Sequence, residues 1–86
     1  MADWSGWWRY VRHETDQSET GEVTFSVGEI RAGARCRDNS LHEPWWWGML
    51  ANPDNSSHTG LIENGMECTP LPESGPVQRV TFRLTR

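Results

Sequence analysis

The chain contains no lysine, and all eight of its basic residues are arginine. That absence excludes Schiff-base chemistry and a phosphate-binding P-loop, both of which need a lysine amine. An excess of positive charge is missing as well, since the formal net charge is −4. General binding to nucleic acid or to an anionic membrane draws its affinity from a basic excess, so neither is expected. Two cysteines, Cys36 and Cys68, are too few for a disulfide framework. One bridge between them stays arithmetically open, and two free thiols are the preferred reading. The amino terminus lacks the basic-then-apolar pattern of a secretory signal, and no apolar run approaches the ~20 residues needed to span a membrane. A soluble, cytoplasmic protein is the expectation.

Metal and catalytic chemistry are thinly represented too. Cys36, His42, His58 and Cys68 could form a ligand set, but they show none of the short Cys-x-x-Cys or His-x-x-x-His spacings that zinc sites use. No metal and no cofactor are expected. The carboxylates are scattered, no nucleophile sits in a recognisable strained turn, and so small a domain leaves little room for a water-excluding pocket. The chain reads as a binder and not an enzyme.

What it does have is tryptophan: Trp4, Trp7, Trp8, Trp45, Trp46 and Trp47, six in 86 residues. Each can bury on the order of 200 Å². A chain this short makes one domain, taken as residues 1–86. Short alternating runs separated by turn residues argue for an all-β fold, and no helical periodicity is read. Trp7 to Arg12 is a candidate strand and His13 to Gly21 a long polar loop. Val23, Phe25 and Val27 alternate with polar residues. Ile30, Ala32, Ala34 and Cys36 would share one strand face, with Arg31, Arg35 and Arg37 on the other as a solvated set able to meet an acidic partner. Trp45 to Leu50 is another strand, and Asn52 to Asn55 hold turn residues. Asn55-Ser56-Ser57 fits a glycosylation acceptor but reads as loop chemistry. Gly60-Leu61-Ile62 is a short strand, Asn64-Gly65 a tight turn, and Thr69 to Pro76 irregular. At the end, Val80, Phe82 and Leu84 alternate with Arg79, Thr81 and Arg83, the best period-two run present.

Three segments together resemble a Src-homology-3 domain. Glu22-Val23-Thr24-Phe25-Ser26-Val27-Gly28-Glu29-Ile30 is similar to that family's segment after its first long loop. Trp45-Trp46-Trp47-Gly48 is similar to its Trp-Trp-x-Gly strand, and Gly60-Leu61-Ile62 to its Gly-Tyr-Ile-Pro. The resemblance implies a small five- to six-stranded barrel with its core at about 7–71, here with an extra C-terminal strand at about 77–85. It also implies a peptide groove. Trp45 stands where the family's peptide-contacting tryptophan does, with Trp47 beside it facing outward. Trp8 and Tyr10 replace the two groove tyrosines. Glu14, Asp16, Glu19 and Glu22 occupy the loop whose carboxylates pair with a ligand arginine or lysine. Glu63 and Met66 stand where the family has its groove proline and last tyrosine, leaving Met66 as an adaptable wall.

The function that follows is protein–protein interaction of an adaptor kind. An aromatic groove would hold an extended, proline-containing, basic segment of a partner protein. The alternative is a free-standing small acidic inhibitor, of viral or phage type, blocking an enzyme through its tryptophan-rich surface. A start at Met1 and an ordered last strand fit a complete gene product. A carbohydrate module with stacking tryptophans is a third reading. Dimerisation through the Trp45, Trp47, Met49 stripe or the last strand is also open.

Overall fold

The first helix is written in the spacing of its large side chains. Trp4, Trp7, Trp8, Val11 and Thr15 recur at intervals of three and four, the stripe of a helix with one buried face. The computed structural model describes residues 3–51, 56–72 and 74–85. Helix α1 (Trp4–Gln17) leads to strand β1 (Glu22–Ser26), helices α2 (Val27–Gly33), α3 (Pro44–Gly48) and α4 (Ser56–Glu63), and strands β2 (Met66–Leu71) and β3 (Arg79–Leu84). Short 3-10 turns at Asn39–His42 and Met49–Ala51 flank α3.

Local chemistry explains the helix starts. Asp3 caps α1, its carboxylate accepting the Gly6 N–H at 3.0 Å. Ser26 and Glu29 form a reciprocal capping box at α2. The Ser26 hydroxyl accepts the Glu29 N–H at 3.1 Å and the Glu29 carboxylate accepts the Ser26 N–H at 2.9 Å. Pro44 opens α3, where a missing N–H costs nothing. Gly65, at φ 67°, lets the chain leave α4 and turn into β2.

The three strands form one antiparallel sheet in the order β1-β3-β2, with β3 in the centre. Phe82 stands opposite Val23 on one side and Cys68 on the other. Val23, Phe25, Met66, Cys68, Val80, Phe82 and Leu84 therefore share the face that meets the helices. The opposite face is polar. There the Thr24 and Thr81 hydroxyls lie 2.8 Å apart and Arg83 pairs with Glu67 at 3.5 Å.

Both sheet edges are partly closed. Gly21 bonds to Leu84 and Val27 to Gln78 across the first pair, so Glu22, Thr24 and Ser26 turn their main-chain groups to the free side. At one end the Glu22 carbonyl accepts the Ser18 hydroxyl at 2.9 Å, and at the other Glu29 holds the Ser26 N–H. On β2 the outward positions are Met66, Cys68 and Pro70, the last with no N–H to offer.

The helices cover the inner face through two adjacent tryptophans. Neighbours on a helix point about 100° apart, so Trp7 and Trp8 straddle Phe82, with ring centroids at 6.3 and 5.7 Å. A Cβ at Gly33 would fall inside the Trp7 ring, and one at Gly60 would strike Cδ1 of Trp8. The two glycines let α2 and α4 lie directly on those rings. All the buried apolar side chains among the described residues belong to one cluster. Among the described residues, no helix is long and apolar enough to cross a membrane.

The expected all-β barrel of five to six strands is thus overturned by four helices and a three-stranded open sheet. Trp7 to Arg12, read as a strand, and most of the loop read at His13 to Gly21 form α1. The alternation from Ile30 to Arg37 belongs to α2 and the loop after it, and Trp45 to Leu50 forms α3 and a 3-10 turn. Gly60-Leu61-Ile62 lies in α4, and β2 runs into the stretch read as irregular. The run read from Val23 to Gly28 is a strand only as far as Ser26, Val27 and Gly28 opening α2, and the strand read at about 77–85 is present at Arg79–Leu84 with Val80, Phe82 and Leu84 facing inward. The turn read at Asn52 to Asn55 lies outside the described residues.

Gly33→Ala and Gly60→Ala should each destabilise the protein by about 1–3 kcal/mol through overpacking against tryptophan. That outweighs the ~1 kcal/mol that alanine gains over glycine in a helix. Gly48→Ala on α3, where an added Cβ meets nothing within 4 Å, should be neutral or stabilising. Urea unfolding of the three variants checks the opposed signs.

Candidate functional site

The residues proposed for an aromatic peptide groove separate in the structure. Trp8 and Met66 are fully buried and Trp47 nearly so. Trp8 stacks on Trp4 at 5.4 Å, the Thr15 hydroxyl points at the Met66 sulfur at 3.8 Å, and the Trp47 indole N–H donates to the Leu41 carbonyl at 2.7 Å. These three build the core. Tyr10 and Trp45 are the exposed rings, at 48 % and 56 %. They do not share a groove. Tyr10 lines a cleft between α1 and α2 with Trp7, Phe25 and Glu29, whereas Trp45 stands on α3.

The four carboxylates expected in one loop are also spread. Glu14 and Asp16 lie on α1, Glu19 in the turn after it and Glu22 at the start of β1. Asp16 pairs with Arg12 one helical turn away at 3.0 Å, and Glu22 stands opposite Arg83 in the sheet register. Glu14 lies 3.4 Å from the Tyr10 hydroxyl, and its charge raises the phenol above its ordinary value.

What the fold does assemble is an apolar groove of about 540 Å³ between α3, α4 and the edge of β2. Pro44, Leu50, Leu61, Ile62, Cys68 and Pro70 are among its lining residues. Of the four large apolar side chains that the described residues leave exposed, Trp45 and Met49 stand on α3 and the turn after it, and Ile62 stands on α4 and lines the groove. The α3 end is firmly tied. His42 and Val77 exchange bonds, the Val77 N–H to the His42 carbonyl at 2.7 Å and the His42 Nδ1 to the Val77 carbonyl at 3.0 Å. Trp46 packs on Trp4 at 5.2 Å and Trp47 edge-on to Trp46 at 4.7 Å. Trp45 is therefore held out from a short helix whose next two rings are anchored.

No family model, curated protein or solved structure matches this chain. The site has to be read from its own chemistry.

That chemistry is one of contact. Both cysteines are free thiols. Cys68, in the floor of the groove, is pushed up to about 12 by burial, with the Glu67 carboxylate adding to the effect. A thiol held neutral in this way is a weak nucleophile, and the groove offers apolar surface in place of a reactive group. Of the exposed side chains around it, Trp45 and Met49 were legible in the tryptophan run. Ile62 was not, because its exposure follows from α4 being a helix that buries Leu61.

A raised thiol has a consequence for stability. Below the unfolded value near 9 the Cys68 proton is bound in both states, and between there and about 12 only the unfolded chain releases it. Stability should fall across that window, by up to ~1.4 kcal/mol per pH unit from this group. Cys68→Ala should flatten the alkaline decline in thermal melts. An equal decline in the variant would remove the assignment.

Proposed function

We propose that the protein is a protein-binding module that uses the α3–α4 face to seat an extended segment of a partner. The observation that carries the reading is Trp45, 56 % exposed on the five-residue helix whose Pro44, Trp47 and Gly48 line the apolar groove. An indole left in water on a rigid support is the usual form of an interface anchor. Because Trp46 and Trp47 already fix the helix, little backbone order is lost when Trp45 is covered.

The rim suggests the chemistry of the partner. Glu43 and Glu63 are exposed and adjoin the groove residues Pro44 and Ile62. A segment with apolar or proline side chains for the groove and an arginine or lysine beside them matches both features. This keeps the proline-containing, basic ligand and Trp45 as the proposal, and replaces Trp8 and Tyr10 with Met49 and Ile62.

A chemical-shift titration with proline-rich, arginine-bearing peptides tests it. Shifts should concentrate at the Trp45 indole and the Met49 and Ile62 methyl groups. Trp45→Ala should weaken binding by ~30-fold or more, as a central anchor does, while Tyr10→Ala leaves it unchanged. Absence of shifts at those groups at millimolar peptide would sink the proposal.

A further inference from the structure

A wide groove of about 1070 Å³ lies at the end of α2 and is lined by three arginines, Arg31, Arg35 and Arg37. It shares no residue with the apolar groove of α3 and α4. No ion pair among the described residues involves any of the three; the charged pairs found are Arg12–Asp16 and Arg83–Glu67. A solvated arginine face would explain this much, but two further features do not fit that reading.

The first is Arg31. Its Nε and Nη2 are both buried, and neither has a hydrogen-bond partner. Those two nitrogens form one edge of the guanidinium, shut off from water with its hydrogen bonds unmet, and it meets both oxygens of a carboxylate once the side chain swings out into the groove. The second is Arg35. Its φ is 54°, the left-handed region that glycine enters freely and a side chain only with strain. It is the one non-glycine residue with positive φ among those described. Glycine would relieve the backbone there, and what arginine adds instead is a guanidinium in the groove.

The groove also contains one carboxylate, and that group is engaged by the main chain. Asp38 accepts the Ser40 N–H at 2.8 Å as the cap of the following 3-10 turn. Those bonds, and Arg31 more weakly, hold it below its ordinary value. It is therefore already committed and leaves the three guanidinium groups with charge to spare.

We infer that the Arg31, Arg35, Arg37 groove binds a carboxylate-bearing segment of a partner protein. Planar guanidinium forks suit carboxylates, and a short acidic segment needs only a local positive patch. A nucleic acid would meet the rest of a chain with net charge −4 and no lysine, which the long-range attraction of a polyanion does not favour. The inference stands independently of the apolar groove.

Fluorescence anisotropy with a labelled peptide rich in Glu and Asp tests it. The same peptide with Gln and Asn in place of the acids, and a single-stranded DNA of equal charge, serve as comparisons. The acidic peptide should bind, tenfold or more tighter than its amide counterpart, and weaken steeply between about 50 and about 500 mM salt, where the screening length falls from about 14 to about 4 Å. Arg35→Gly is the decisive variant, because glycine suits the backbone there and the fold is retained. It should weaken binding about tenfold with an unchanged or higher Tm, and Arg37→Gln should do the same. Arg9→Gln, on the exposed side of α1, should leave binding as it is. Tighter binding of DNA than of the acidic peptide, equal weakening by Arg9→Gln, or undiminished binding by Arg35→Gly would each overturn the inference, as would no binding at 1 mM peptide, a concentration corresponding to about −4 kcal/mol.

Discussion

Phe82 is the point on which the helices and the sheet meet. It sits on the central strand, and the rings of Trp7, Trp8, Phe25 and Trp47 all approach it, at centroid distances of 5.7 to 6.3 Å. Two of those rings come from neighbouring positions of α1, so the helix must lie astride Phe82 with one tryptophan on each flank. Once it does, α2 and α4 can close over the outer faces of the rings only where they carry no side chain, at Gly33 and Gly60. The indole N–H groups of Trp7 and Trp8 are left buried and without acceptors. That costs about 1–3 kcal/mol each. Burying some 200 Å² of each ring contributes about 5 kcal/mol, so area outweighs the unmet bonds.

The strands β1 and β3 were legible because alternation is an unambiguous signal when both faces differ, as Val80, Phe82 and Leu84 do from Arg79, Thr81 and Arg83. The helices were obscured by aromatic and small residues. Trp7, Trp8 and Tyr10 look like strand residues by type, yet Trp4, Trp7, Trp8, Val11 and Thr15 carry the helical spacing. In α2 the run Ile30, Ala32, Ala34, Cys36 alternates by coincidence. The stronger local evidence was Ser26 and Glu29, three apart at a helix start. Glu43-Pro44 carried the same information for α3. Patterns that resemble a known family gathered these segments into a barrel that the backbone does not form.

The candidate surfaces were legible in part, and for the same reason. Trp45 is outward whether its segment is a strand or a helix, so its exposure was readable from the crowding of three tryptophans. Which tryptophan joins it on the surface depends on period, and a helix buries Trp47 while leaving Met49 outside. The arginines at 31, 35 and 37 would fan along one face of a strand. The turn after α2, with Arg35 in a left-handed conformation, gathers them around a groove instead. An acidic chain thus carries its positive charge locally, and its apolar exposure on a separate segment.

The partly closed sheet edges limit what any partner can read. On β1, with the carbonyl of Glu22 and the N–H of Ser26 already engaged, Thr24 alone presents both a free donor and a free acceptor. On β2, Pro70 interrupts the outward row. A strand laid alongside either edge would meet an interrupted row of peptide groups, which shifts the weight of recognition from main chain to side-chain shape and charge.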